Sequence, residues 1–158
     1  MFIIKESSNI YYHGSDKKFD NFKLKFSKRG KAIFLTKDLW NAQGYGKYVY
    51  TVELATNAKI FNYNNALQLK ELTQEILAFL EKEKTKRSDL KKDFYPYTTS
   101  KVLGGISKGA YHFLGHPIVT DCLIKLKYDG WFELENSHTP QLAIFNIKKL
   151  NIVDVKLV

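Results

Sequence analysis

His13-Gly14 closes a short apolar and aromatic run, Asn9-Ile10-Tyr11-Tyr12, and a second such run, Ala32-Ile33-Phe34-Leu35-Thr36, follows one loop later. The first run has the β-branched and aromatic residues of a strand, and a glycine at its exit lets the backbone turn close to a ligand. Read alone, His13 is most simply a hydrogen-bonded core or surface histidine at a strand end; followed by the second run, Tyr12-His13-Gly14-Ser15 suggests a nucleotide pocket. The other histidines, His112, His116 and His138, have no regular ligand spacing and read as surface or loop residues. One cysteine, Cys122, permits no intrachain disulfide, and no Cys/His cluster has zinc spacing, so no metal is expected. Gly104-Gly105-Ile106-Ser107-Lys108-Gly109 has the composition of a phosphate loop without its spacing or a preceding strand, and reads as a flexible connection.

The elements that must hold these residues follow from periodicity. Thr36 or Asp38 can cap a short helix from Lys37-Asp38 to Gln43 that Gly44 ends. Tyr48 to Leu54 is the clearest strand, followed by a second at Lys59 to Tyr63. Leu69, Leu72, Ile76 and Leu80 recur at helical spacing between charged residues, which predicts an amphipathic helix from Asn65 to about Lys84. Pro117 opens a helix through Cys122 to Lys127, with Asp121 on its solvent face. Asp129-Gly130 turns the chain into a strand at Trp131-Phe132-Glu133-Leu134, and further strands fall at Gln141 to Asn146 and Ile152 to Val158. Trp40 and Trp131 read as core. The order predicts an α+β fold with a mainly antiparallel sheet, one domain over 1–158, and a helical and basic insertion at about 64–103.

The chain's 158 residues suffice for a core without disulfide or metal staples, and its 15% aromatic share suits a dense core or a stacking site. A net charge of +9 favours phosphate-bearing partners. Lys84, Lys86, Arg87, Lys91 and Lys92 form a basic run ending at Tyr95-Pro96-Tyr97; it reads either as a solvated loop or as a nucleic-acid-binding surface whose tyrosines stack on bases. No stretch has the length of a membrane span, and Met1-Phe2-Ile3-Ile4-Lys5-Glu6 lacks the order of a secretion signal, so a cytoplasmic protein without membrane contact is expected.

Three blocks together resemble the ADP-ribosyltransferases, specifically their poly(ADP-ribose) polymerase and diphtheria-toxin-like branch. Tyr12-His13-Gly14-Ser15 is similar to the first motif, which implies that His13 binds a ribose hydroxyl of NAD and that the Gly14 backbone holds the nicotinamide amide. Gly30-Lys31-Ala32-Ile33-Phe34-Leu35-Thr36, followed by Ala42-Gln43-Gly44-Tyr45-Gly46, resembles the second block. There Phe34 stands at the motif tyrosine, and Tyr45 at the tyrosine that stacks on nicotinamide. Two flat rings can sandwich a pyridinium, although core packing is an equal alternative for Phe34. By this resemblance the NAD-binding set is His13, Gly14, Ser15, Phe34, Thr36 and Tyr45.

The third block, Gln141-Leu142-Ala143-Ile144-Phe145-Asn146, resembles the family's Glu-Tyr-Ile-Val-Tyr-Asp strand with glutamine in the glutamate position. The implied catalytic set is His13, Tyr45 and Gln141. A glutamine carbonyl accepts the ribose hydrogen bond but brings no charge, an effect on the order of a few kcal/mol in the barrier. Three outcomes follow: single ADP-ribose transfer without the glutamate, supply of the carboxylate by Glu133 or Glu135 from the preceding strand, or binding without turnover. The resemblance implies a split β core and an enzyme, a mono-ADP-ribosyltransferase using NAD as co-substrate. The positive charge favours RNA or DNA over protein as acceptor, and a toxin, defence or phage effector fits such a small transferase. The alternative is an inactive module that binds NAD, ADP-ribose or nucleic acid. Neutralising Lys86, Arg87, Lys91 and Lys92 is expected to weaken RNA or DNA binding and flatten its salt dependence in a filter-binding titration; unchanged binding would return the run to a solvated loop.

Overall fold

In the computed structural model, residues 9–24, 32–82, 92–108, 111–135 and 139–158 are described. Seven strands make one sheet: β1 (Ile10–Ser15), β2 (Ile33–Thr36), β3 (Tyr48–Leu54), β4 (Ile60–Asn62), β5 (Gly130–Glu135), β6 (Thr139–Ile144) and β7 (Leu150–Leu157). They lie in the order β4-β5-β6-β2-β1-β3-β7, with β4 and β5 parallel and every other pair antiparallel. The chain is thus α+β, with helices α1 (Leu39–Gln43), α2 (Ala66–Lys82), α3 (Thr99–Ile106), α4 (Tyr111–Leu114) and α5 (Pro117–Lys125).

Strand alternation sorts the core into two clusters. Along β6, Leu142 and Ile144 join Ile33, Leu35, Tyr50 and Val52, whereas Ala143 joins Trp131, Phe61 and the helices. Helix α2 turns Leu72, Ile76 and Leu80 inward onto α3 and α5, which is the stripe its spacing predicts. On the other side Phe19, Phe22 and Leu24, from the loop after β1, pack with Tyr50. The Phe19 ring stacks on Tyr50 at 4.2 Å, and the Phe19 N–H donates to the Tyr50 hydroxyl at 2.7 Å.

Several sequence expectations change. His13, Gly14 and Ser15 lie inside β1 rather than beyond its end, because residues 10–15 all pair with β3. Trp131 is fully buried, but Trp40 is 81% exposed: α1 is one short helix that can turn only one side inward, and it turns Ala42. Gly104-Gly105 belongs to α3, not to a flexible connection; a side chain at Gly105 would strike the Phe113 ring, so glycine here permits close packing. His116 is buried. Its Nδ1 accepts the Ile118 N–H to cap α5, its Nε2 lies 3.0 Å from the Asp93 carboxylate, and its ring packs on Phe94. Strand β6 runs Thr139–Ile144, starting and ending two residues earlier than the Gln141 to Asn146 that the sequence predicts.

Asp129, read as half of a turn, ties three segments together. Its carboxylate accepts the Lys59 N–H at 2.8 Å and the Asn146 side-chain amide at 2.7 Å, while its carbonyl accepts from Phe145 and Asn146. It thus locks the start of β4 to the start of β5 and the end of β6. Asp129→Ala would leave two donors without their acceptor and is expected to lower the unfolding free energy by about 2–3 kcal/mol in urea titration, with Asn146→Ala costing less. Equal stability of Asp129→Ala and the parent would rule out that lock.

Candidate functional site

The sheet is continuous in order but open at one seam. β1 pairs with β3 over six residues and β2 with β6 over four, whereas β1 and β2 share the single register pair Tyr12↔Thr36. Past that pair the two strands part. The His13 side chain crosses the gap instead, donating from Nδ1–H to the Phe34 carbonyl oxygen at 2.8 Å.

A carbonyl only accepts, so this bond fixes the proton on Nδ1 and leaves Nε2 of the neutral ring as an acceptor. Burial holds the His13 pKa below its ordinary value, partly offset by the bond to Phe34. The imidazole packs edge-on against Phe22 at 5.3 Å and lies 6.2 Å from Tyr50. These apolar rings favour the neutral form, which can accept a bond from a ligand hydroxyl.

At the seam lies a cavity of about 110 Å³ walled by Tyr12, His13, Gly14, Phe34, Leu35, Thr36, Ala42, Tyr45 and Gln141. Five of the six residues predicted to bind NAD line it, together with Gln141. Gly14 is needed for packing: a Cβ there would run into the Ala42 carbonyl oxygen, so glycine lets the end of α1 press against β1. Gly46 does the same, with its Cα against the Ser15–Asp16 peptide. Between these two close approaches Tyr45 is held with its N–H on the Ala42 carbonyl and its ring 45% exposed at the cavity wall.

The wall has a polar side. Tyr12, Thr36 and Gln141 are successive register partners across β1, β2 and β6, and Gln141 pairs in turn with Glu133 of β5. Thr36 and Gln141 are 4% and 3% exposed, so the neutral amide sits in the floor of the seam rather than at its mouth. The Thr36 hydroxyl accepts the N–H of Asp38, whose carboxylate in turn caps α1 through the N–H groups of Trp40 and Asn41. Glu133 thus stands opposite Gln141 in backbone register, and Glu135 opposite Thr139. Phe34 lines the cavity while its ring meets Trp131 edge-on at 6.5 Å.

Ser15 falls outside this cavity. It lines an adjoining one of about 520 Å³ that also has His13 in its wall, with Lys17, Lys18, Phe19, Asp20, Asn21, Phe22 and Lys23. Sequence reading passed over those lysines and over Tyr12 and Leu35 as wall residues; the signal available was their place directly around the His-Gly motif. Lys86, Arg87 and Lys91 lie outside the described residues, and Lys92 opens a single 3-10 turn at Lys92–Phe94. Among the described residues there is no cluster of three or more His, Cys, Asp or Glu that could hold a metal, and no helix long and apolar enough to cross a membrane.

The fold has a solved counterpart. The chain is similar to the crystal structure of an anti-CRISPR protein, with a TM-score of 0.56 and 11% sequence identity over 91% of this chain and 94% of the other. At that identity the likeness concerns the fold alone. No protein-family model and no curated protein matches the sequence.

His13 carries a pH dependence of its own. With the folded pKa below the unfolded value of about 6.5, the unfolded chain takes up the proton first as pH falls. Stability is therefore full above about pH 6.5 and declines below it until the folded ring also protonates, at no more than about 1.4 kcal/mol per pH unit for one proton. His13→Gln is expected to show a shallower decline between pH 7 and 5 in urea denaturation; parallel curves would mean that His13 does not titrate differently on folding.

Proposed function

We propose that the protein is a mono-ADP-ribosyltransferase that takes ADP-ribose from NAD and places it on a macromolecular acceptor, with nucleic acid favoured. One observation carries the reading. Residues from three distant blocks of sequence, His13-Gly14, Phe34 with Tyr45, and Gln141, line one cavity at the parting of β1 and β2. Composition alone gives no reason for them to meet.

The groups present suit NAD. The smaller cavity has Tyr45 and Phe34 in its wall, aromatic residues that suit a planar pyridinium, and strand backbone past Tyr12↔Thr36 that suits its amide. His13 Nε2 is an acceptor for a ribose hydroxyl. The adjoining cavity shares His13 and is lined by Lys17, Lys18 and Lys23 beside Asp20, a net positive lining that supports an anionic ligand such as the remainder of the dinucleotide. At about 110 Å³ the smaller space holds only part of a ligand; its neighbour of about 520 Å³ is in the ordinary range of ligand pockets.

In the transfer the bond between nicotinamide and ribose C1′ breaks, with its electron pair leaving on nicotinamide. A nucleophilic oxygen or nitrogen of the acceptor bonds to C1′ and releases its proton to solvent. Positive charge builds on the ribose meanwhile. The Gln141 carbonyl can accept from the sugar hydroxyl and orient it, but offers no countercharge. This predicts slow single transfer rather than chain synthesis. The charge of +9 supports a polyanionic acceptor, and the likeness to an anti-CRISPR protein fits an effector acting in conflict between cells and invading genetic elements.

A binding module is the second reading, favoured by the neutral Gln141. Incubation with labelled NAD and RNA, DNA or protein separates the two: nicotinamide release with label on an acceptor is expected of the transferase. His13→Ala is expected to abolish it while the circular dichroism spectrum stays unchanged. Gln141→Glu is expected to raise nicotinamide release on the order of tenfold or more by restoring the charge. Intact transfer in His13→Ala would show that the cavity is misassigned, and NAD binding without release in every variant would favour the module.

A further inference from the structure

The largest exposed aromatic side chain stands on the element that forms the cavity rim. Trp40 is 81% exposed, whereas Ala42, two residues on in α1, is buried in the cavity wall. Two residues of helix are about 200° of turn, so a helix that turns Ala42 to the cavity turns Trp40 away from it, onto the exposed side of α1. Leu39 and Tyr45, each 45% exposed, extend the apolar surface along the same segment.

The indole rides on a fixed backbone. The Trp40 backbone N–H is held by the Asp38 carboxylate at 2.9 Å, the Asp38 backbone N–H by the Thr36 hydroxyl at 3.1 Å, and the far end of α1 is pressed onto Gly14. A flat ring presented from a pinned helix loses little freedom on contact. The flanking charge is basic: Lys37 precedes the helix and Lys47 follows it in a chain of net charge +9, while the acidic group at the helix start, Asp38, is engaged as its cap.

We propose that Trp40 is the acceptor-docking residue, stacking its indole on a base of a single-stranded nucleic acid whose phosphates the flanking lysines attract. One large ring among cations, rather than a broad apolar patch, matches stacking platforms for single strands, and a duplex keeps its base faces inside. Protein docking calls for a wider apolar centre than Leu39 and Trp40 supply. The identification of Trp40 with the acceptor rests on the transferase reading; its contact with single strands does not.

Fluorescence tests it directly, since the chain has two tryptophans and Trp131 is fully buried. Titration of the full chain with a single-stranded oligonucleotide is expected to quench the exposed-tryptophan emission, and inorganic polyphosphate or duplex of equal length is not. Trp40→Ala is expected to weaken oligonucleotide binding by roughly fivefold or more with an unchanged salt slope, and Trp40→Phe to restore most of it. In the transferase assay Trp40→Ala is expected to lose transfer to the oligonucleotide while keeping NAD hydrolysis to nicotinamide and free ADP-ribose. Quenching without any nicotinamide release would support docking and sink the transferase reading alone. Undiminished binding by Trp40→Ala, or equal quenching by polyglutamate, would overturn the proposal.

Discussion

The parting of β1 from β2 after one register pair is the constraint on which the site depends. A sheet that stayed zipped past Tyr12↔Thr36 would close the cavity with its own ladder and leave neither backbone edge for a ligand. Parted strands must satisfy their polar groups in some other way, because an unpaired buried carbonyl is costly. His13 does this for Phe34, and the same bond sets the imidazole tautomer. One hydrogen bond therefore both tolerates the gap and leaves Nε2 of the neutral ring as an acceptor. Apolar packing on both faces holds the seam at that width, through Leu35, Tyr50 and Phe22 on one side and Trp131 beneath Phe34 on the other.

Around the seam, small residues and caps decide how near the neighbouring segment comes. Gly14 and Gly46 remove the Cβ atoms that would push α1 and the following turn away from β1, and the Asp38 cap fixes where the helix begins. Tyr45 is placed by these contacts rather than by burial of its own ring. The site thus combines a rigid polar floor, Thr36 and Gln141, with a rim built on close backbone contact. In chemical terms it offers neutral hydrogen bonding at the floor and positive charge in the adjoining cavity.

How much of this could be read from the chain depended on how local the cause was. β3 was legible at its full extent because Tyr48 to Leu54 is an uninterrupted β-forming run, and α2 because its apolar spacing persists over several turns. The Asp38 cap and Pro117 start were legible for the same reason, being signals within one turn of the element. Reading failed where a residue's surroundings come from elsewhere. Gly104-Gly105 looks like a breaker until Phe113 is seen to need the space, and His116 looks like a loop residue until Asp93 and Phe94 arrive beside it. Trp40 was misplaced because hydrophobicity states a preference for burial, whereas the inward side of a one-turn-and-a-half helix was already taken by Ala42.

The sequence by itself determined the strands, the main helices, the α+β class and the residue types of the site, since these rest on periodicity, capping and side-chain chemistry carried by neighbours in the chain. Only the tertiary structure decided that His13, Gly14, Phe34, Tyr45 and Gln141 share one cavity, that Ser15 turns to a second, and that Trp40 stands outside both. Those outcomes depend on which strands pair, in what register and for how long. Long-range pairing sums many contacts between distant residues, and no local pattern encodes where a ladder will stop.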